Sequence, residues 1–170
     1  NNDEDPEKGW ISLEGGVYNI TANHDGIQAE TSLAIAAGEY DIHTGGGSGN
    51  TALSAEESYK GLKAATDLSI SGGTFAIDSA DDGIHANGNI TIGGGSFSIT
   101  SGDDGVHADG HLEIAGGEIE VAGSYEGLEA MTMNIADGTI RLKASDDALN
   151  VAGGNDGGEH RHVFARHPRP

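Results

Sequence analysis

Apolar and polar residues alternate in very short segments along most of the chain. One stretch carries Ile84/Ala86, Ile90/Ile92 and Phe97/Ile99, and the next Val106/Ala108, Leu112/Ile114 and Ile119/Val121. Leu128/Ala130, Met133/Ile135 and Ile140/Leu142 follow, while Ile27/Ala29, Leu33/Ile35, Tyr40/Ile42 and Leu62/Ala64, Leu68/Ile70, Phe75/Ile77 precede. Alternation at period two predicts strands with one face in and one face out. The segments are too short for helices, and GG, GGG, NG and DG separate them, which is turn chemistry.

The segments recur in threes. The glycines of the DG-type turns are Gly26, Gly61, Gly83, Gly105 and Gly127, with Ala148 in the sixth place, at spacings of 35, 22, 22, 22 and 21. The long interval is one period plus an insertion, placed near residues 44–56; the short one has lost a residue after Ala130. Three strands per repeat of about 22 residues predict a single-stranded parallel β-helix of about six coils, because one coil cannot bury its apolar face and a stack can. An antiparallel sandwich would need longer strands and less regular spacing. The β-helix is expected over residues 10–154, between an acidic leader at 1–9 and an irregular basic tail at 155–170.

Composition sharpens this picture. The net charge of −20 and the 29 glycines would suit a disordered chain, but the strict patterning argues for a fold. Absence of Cys excludes a disulfide framework and a thiolate zinc site. The acidity argues against nucleic acid as a partner, and no apolar run is long enough to insert in a membrane. The leader NNDEDPEKG, without an initial Met, reads as the start of a mature or excised segment of the kind that tethers a secreted domain.

The repeat piles like positions into columns. Before the turn glycine stand His24, Tyr59, Asp81, Asp103, Tyr125 and Asp146, then Asp25, Lys60, Asp82, Asp104, Glu126 and Asp147. Just after it stand Gln28, Lys63, His85, His107, Glu129 and Asn150, with Asn87 and Asp109 two residues further on. Coils lie about 4.8 Å apart. Two bare carboxylates at that distance repel by about 1 kcal/mol in water and about 3–4 kcal/mol at an effective dielectric of 20. Some of these acids cap turns or form a solvated face. Two per coil, stacked, ask for a counter-ion, and Lys60 and Lys63 are expected to serve only the coil of Asp82 and His85.

A hard cation with oxygen ligands suits such a cluster, and calcium is the expected one. Its candidate ligands are Asp81, Asp82, Asp103, Asp104, Asp109, Glu126, Glu129, Asp146 and Asp147. The best single site is expected between Asp103/Asp104 and Glu126, with Glu129 or Asp109 nearby; Asp146, Asp147 and Asn150 would complete a second. Zinc at His85 and His107 is the weaker alternative. The pattern is neither an EF-hand loop nor the nonapeptide calcium roll.

The ordered motifs ESYKGLKA, SADDGIHANGNITI, SGDDGVHADGHLEIAGG, SYEGLEA and ASDDALNVAGGNDGG resemble the clostridial-type bacterial carbohydrate-binding β-helix family, over roughly residues 10–158. The resemblance implies a right-handed parallel β-helix related to polysaccharide lyases, a secreted or cell-surface location, bound calcium and binding of cellulose and acidic, pectin-like polysaccharide. It places the family's acidic turns on Asp81, Asp82, Asp103, Asp104, Glu126, Asp146 and Asp147. The chain departs from the pattern at Ala148, where a distorted turn is expected, at Ala130, and in the tail EHRHVFARHPRP. His160, His162 and His167 in that tail are adventitious metal ligands at most, and the last coil is expected to be an unprotected sheet edge.

Three functions follow. A binding module would hold sugar through His85, Asn87, His107 and Asn150, with Tyr59, Tyr125 and Tyr18 as the few aromatic platforms. A calcium-dependent lyase would need a base near the metal, for which Lys63 and Lys60 are the candidates. A calcium-stiffened structural or adhesin domain would bind no sugar. The binding module is the favoured reading, and Lys60 and Lys63 are read first as counter-charges. Oligomeric state is not encoded in these features.

Overall fold

The computed structural model describes Asp5 and residues 7–151 of the 170. Within them every regular element is a strand, sixteen in all, numbered here in chain order. One face of the stack holds β3 (Ile27–Ala29), β6 (Leu62–Ala64), β9 (Ile84–Ala86), the first half of β12 (Val106–Ile114), the first half of β14 (Leu128–Ile135) and β16 (Leu149–Val151). A second holds β1 (Ile11–Leu13), β4 (Leu33–Ile35), β7 (Leu68–Ile70), β10 (Ile90–Ile92) and the second halves of β12 and β14. The third holds β2 (Val17–Ala22), β5 (Glu39–Thr44), β8 (Thr74–Ser79), β11 (Ser96–Ser101), β13 (Glu118–Ser124) and β15 (Thr139–Ala144). All pairings are parallel, and the inward residues keep the expected register, as in Ile90 with Leu112 and Ile92 with Ile114; β13 departs from it after Val121, where its pairing with β11 and with β15 shifts. The protein is therefore a parallel β-solenoid of about six coils.

Both irregular intervals fall where the spacing puts them. The insertion lies between Thr44 and Leu62, since Thr44 still pairs with Ser79 and Ala29 with Ala64. The deletion lies between Ala130 and Thr132, because Ala108 pairs with Ala130 and His111 with Thr132. In β12 and β14 the first and second strands run together instead of breaking at a turn. The leader's first residues, the expected end of the stack at 154 and the basic tail lie outside the described residues.

The interior is a set of ladders, with leucine, isoleucine, valine and alanine on two faces. On the third, Tyr18, Tyr40, Phe75 and Phe97 stack with centroid separations of 4.8, 4.7 and 4.6 Å and nearly parallel rings. Tyr18 heads this inner stack, with its hydroxyl on the Gly15 carbonyl, so it is no sugar platform. In-register stacking gives each aromatic the same neighbour one coil away and contributes about 0.5–1.5 kcal/mol per pair beyond burial.

The DG turns need glycine for a packing reason. A Cβ on Gly83 would lie 2.6 Å from the Gly105 carbonyl and 2.5 Å from an Ile99 methyl, and Gly61, Gly105 and Gly127 are as crowded by the coil that follows. Ala148 occupies the sixth position, and no later coil lies over it among the described residues. The expected distortion there is not found: Gly127 N–H donates to Asp147 O at 2.9 Å, as Gly105 N–H does to Glu126 O.

Candidate functional site

The post-turn column is assembled strand by strand. Gln28 pairs with Lys63, Lys63 with His85, His85 with His107, His107 with Glu129 and Glu129 with Asn150. Because their neighbours Leu62, Ile84, Val106 and Leu128 point inward, these side chains share one outer wall with the pre-turn residues.

The carboxylate column does structural work first. Asp25 Oδ1 accepts the Lys60 N–H at 2.8 Å, Asp82 Oδ1 accepts the Asp104 N–H at 3.1 Å, and Asp104 Oδ1 accepts the Glu126 N–H at 3.1 Å. Each acid thus caps the turn of the next coil. Lys60 cannot accept, so the Asp82 N–H turns to its own neighbour, Asp81 Oδ1, at 3.0 Å. This capping is the signal that column alignment alone does not reveal.

The second oxygens face cations in the first half of the wall. Lys60 Nζ lies 2.9 Å from Asp81 Oδ1 and 2.7 Å from Asp82 Oδ2. Lys63 does not join them: its ammonium sits on Asp25 Oδ2 at 3.2 Å and Ser58 Oγ at 3.1 Å. The lysine assignment is corrected accordingly, and Asp25 and Ser58 join the network that the sequence left to Lys60 and Lys63 alone. Both lysines offered as lyase bases are engaged in ion pairs. Burial alone would raise the Asp82 carboxyl, but Lys60, then His85 and His107, hold it well below the usual carboxylate range.

Past Asp82 the partners are imidazoles. His85 Nδ1 is 2.9 Å from Asp82 Oδ2 and its Nε2 2.9 Å from Asn87 Oδ1. His107 Nδ1 is 3.1 Å from Asp104 Oδ2 and 3.4 Å from Glu129 Oε2, and its Nε2 is 3.3 Å from Asp109 Oδ1. Burial would lower the His107 pKa, but bonds to Asp104 and Asp109 and the charge of Asp82 raise it to about 11. Burial pushes Asp103 up to about 8, helped by Asp82, Asp104 and Asp81. Burial and a bond to Asp104 push Glu129 up to about 7. Asp104 and Glu126 are also raised, chiefly by burial.

The expected site between Asp103/Asp104 and Glu126 divides in two. Asp103 gathers with Asp81 and Asp82, whereas Asp104 gathers with His107 and Glu129, each group within 4.8 Å. Glu126 turns to Asn150, whose amide donates to both its oxygens at 2.7 and 2.8 Å. Asn150 is therefore not grouped with Asp146 and Asp147, which are exposed. Tyr59 is buried beneath the insertion and stacks on His24 at 5.5 Å, so its face is not presented; Tyr125 is 36% exposed. Asn87 and Asp109 are exposed beside the histidines. Ser79 and Ser101 donate to the Asp81 and Asp103 carbonyls, but the Oγ of Ser124, displaced by the register shift after Val121, is buried without a hydrogen-bond partner.

Residues 1–105 match the family described as carbohydrate-binding domain-containing protein, and the chain belongs to it. No curated protein and no solved structure matches the chain. A carbohydrate-binding role follows from the family, and the sugar is its partner.

Proposed function

We propose that this member of the carbohydrate-binding family is a secreted, calcium-dependent module that holds acidic, pectin-like plant polysaccharide along the carboxylate-lined wall. The observation that carries the reading is an imbalance of charge. Asp81, Asp82 and Asp103 converge, and one ammonium, that of Lys60, faces them. From Asp103 to Asp147 the wall carries no Lys or Arg at its column positions.

The residues suit calcium. Asp81, Asp82 and Asp103 supply the oxygen ligands, and flexible coordination tolerates their spread. Bound there, the ion would offset the excess charge and offer open coordination positions to uronate carboxylates. Asn87, Asp109, Tyr125 and Asn150, flanking the wall, would hydrogen-bond hydroxyls. Of Tyr18, Tyr59 and Tyr125 only the last presents an exposed ring, so acidic glycan is favoured over the flat faces of cellulose.

Affinity electrophoresis through gels containing polygalacturonate, cellulose derivative or chitin derivative, with calcium or with chelator, tests this. Retardation by polygalacturonate in calcium alone is expected. Equal retardation in chelator refutes calcium dependence. Retardation by no glycan under either condition refutes the choice of sugar.

A further inference from the structure

The wall also holds a mixed nitrogen–oxygen cluster, separate in its ligands from Asp81 and Asp103. His107 Nδ1 lies 3.1 Å from Asp104 Oδ2 and 3.4 Å from Glu129 Oε2. All three side chains are largely buried, at 15%, 3% and 11% exposure. A borderline transition metal bonded to N and O at about 2.0–2.1 Å sets its tetrahedral ligand atoms about 3.3 Å apart. The two nitrogen–oxygen separations, 3.1 and 3.4 Å, are close to that edge length, and all three ligand atoms lie within 4.8 Å of one another. Calcium, with bonds of about 2.3–2.6 Å and six to eight oxygens, fits an imidazole-centred trio less well.

A second feature points the same way. His107 Nε2 faces Asp109 Oδ1 at 3.3 Å, so that ring nitrogen donates outward and Nδ1 is held toward the two buried carboxylates. A carboxylate behind the distal nitrogen is the usual support for a metal-bound histidine, because it fixes the ring and makes the ligating nitrogen more basic. The neighbouring coil repeats the orientation: His85 turns Nε2 to Asn87 and Nδ1 to Asp82. Asp82 Oδ2 lies 3.9 Å from His107 Nδ1 but is engaged by Lys60 at 2.7 Å, so it is not counted among the three ligands.

We propose that Asp104, His107 and Glu129 form a binding site for a zinc-class divalent transition metal, with Asp109 as the positioning residue behind His107. The site stands whether or not calcium occupies the Asp81–Asp103 group, since the two share no ligand. A water or an oxygen of the bound glycan would complete the coordination.

Cobalt(II) titrated into the full chain, followed by its visible d–d absorption and then challenged with zinc or with excess calcium, tests the proposal. A saturable band that zinc removes and calcium does not is expected. His107→Gln and Glu129→Gln should each abolish it; Gln28 already occupies this column in the first turn, so glutamine fits the wall. Asp109→Asn should weaken cobalt binding roughly 10–100-fold with an unchanged circular dichroism spectrum. If His107→Gln fails to fold, the Glu129→Gln and Asp109→Asn results decide. His160→Ala/His162→Ala/His167→Ala, made together, should leave the band intact. Loss of the band in that triple variant with retention in Glu129→Gln, removal of the band by calcium, or no band at all, overturns the assignment.

Discussion

The wall has two halves built on one backbone and neutralised in different ways. In the half from Asp25 to Asp82, buried carboxylates meet ammonium groups: Asp25 meets Lys63, and Asp81 and Asp82 meet Lys60. In the half from Asp103 to Asp147, equivalent positions carry Asp104, Glu126, Glu129 and Asn150, and His107 is the one cation within the pairs seen there. A carboxylate caps the next coil in both, from Asp25 to the Lys60 N–H in one and from Asp104 to the Glu126 N–H in the other, and the series breaks only where Lys60 cannot accept. Coil stacking therefore sets where side chains go, and the residue chosen for each column decides whether the protein neutralises itself or needs an ion from solution.

Lys60→Met should blur the two halves most. It leaves Asp82, 2% exposed, without its main partner, and breaking such a buried pair costs about 3–5 kcal/mol. Urea unfolding should show this loss, and calcium should restore more stability to the variant than it adds to the wild type. Next in size, Gly61→Ala and Gly105→Ala should each cost about 1–3 kcal/mol through overpacking against the following coil, equally in both halves. A marked inequality would mean that the halves differ in backbone as well as charge.

The pH response should separate them further. Asp103 at about 8, Glu129 at about 7 and His107 at about 11 all lie above their unfolded values. A raised folded pKa means the native state binds the proton more tightly, so its contribution is complete below the unfolded pKa and fades as pH rises through the folded one. For the two acids that window runs from about pH 4 to 8, and for His107 from about 6.5 to 11. Asp82 and Asp109, whose pKa values are lowered, act oppositely and matter only at acid pH. The chelated chain should thus melt about 5 °C or more lower at pH 8.5 than at pH 5.5. Calcium should flatten the difference.

Smaller effects come from single partners. Lys63→Ala should cost about 1 kcal/mol, through Asp25 and Ser58, and leave polygalacturonate retention unchanged. Loss of a calcium-dependent rise in unsaturated-uronide absorbance in that variant would instead assign Lys63 to lyase chemistry. Tyr125→Ala should weaken glycan retention by less than about 1 kcal/mol without altering the melt.

The coils, their register, the insertion after Thr44 and the deletion after Ala130 were all legible, because each inward residue repeats at a fixed interval and a solenoid converts interval into position. Alignment also placed His85 beside His107. It did not say which way a carboxylate turns. Asp103 and Asp104 are adjacent in sequence yet belong to different groups, since one stands before the capping position and the other in it. Lys63 goes back to Asp25, not on to Asp82, and Tyr59 is covered by an insertion that belongs to no repeat. Those outcomes depend on rotamers and local hydrogen bonds, which spacing does not carry.

The most direct test of a wall that takes an ion from solution is the melting temperature at pH 8 of the wild type and Asp103→Asn, each with chelator and with calcium. Calcium should raise the wild-type value, and Asp103→Asn should melt higher than wild type in chelator and respond little to calcium. Identical wild-type melts with and without calcium would contradict the account.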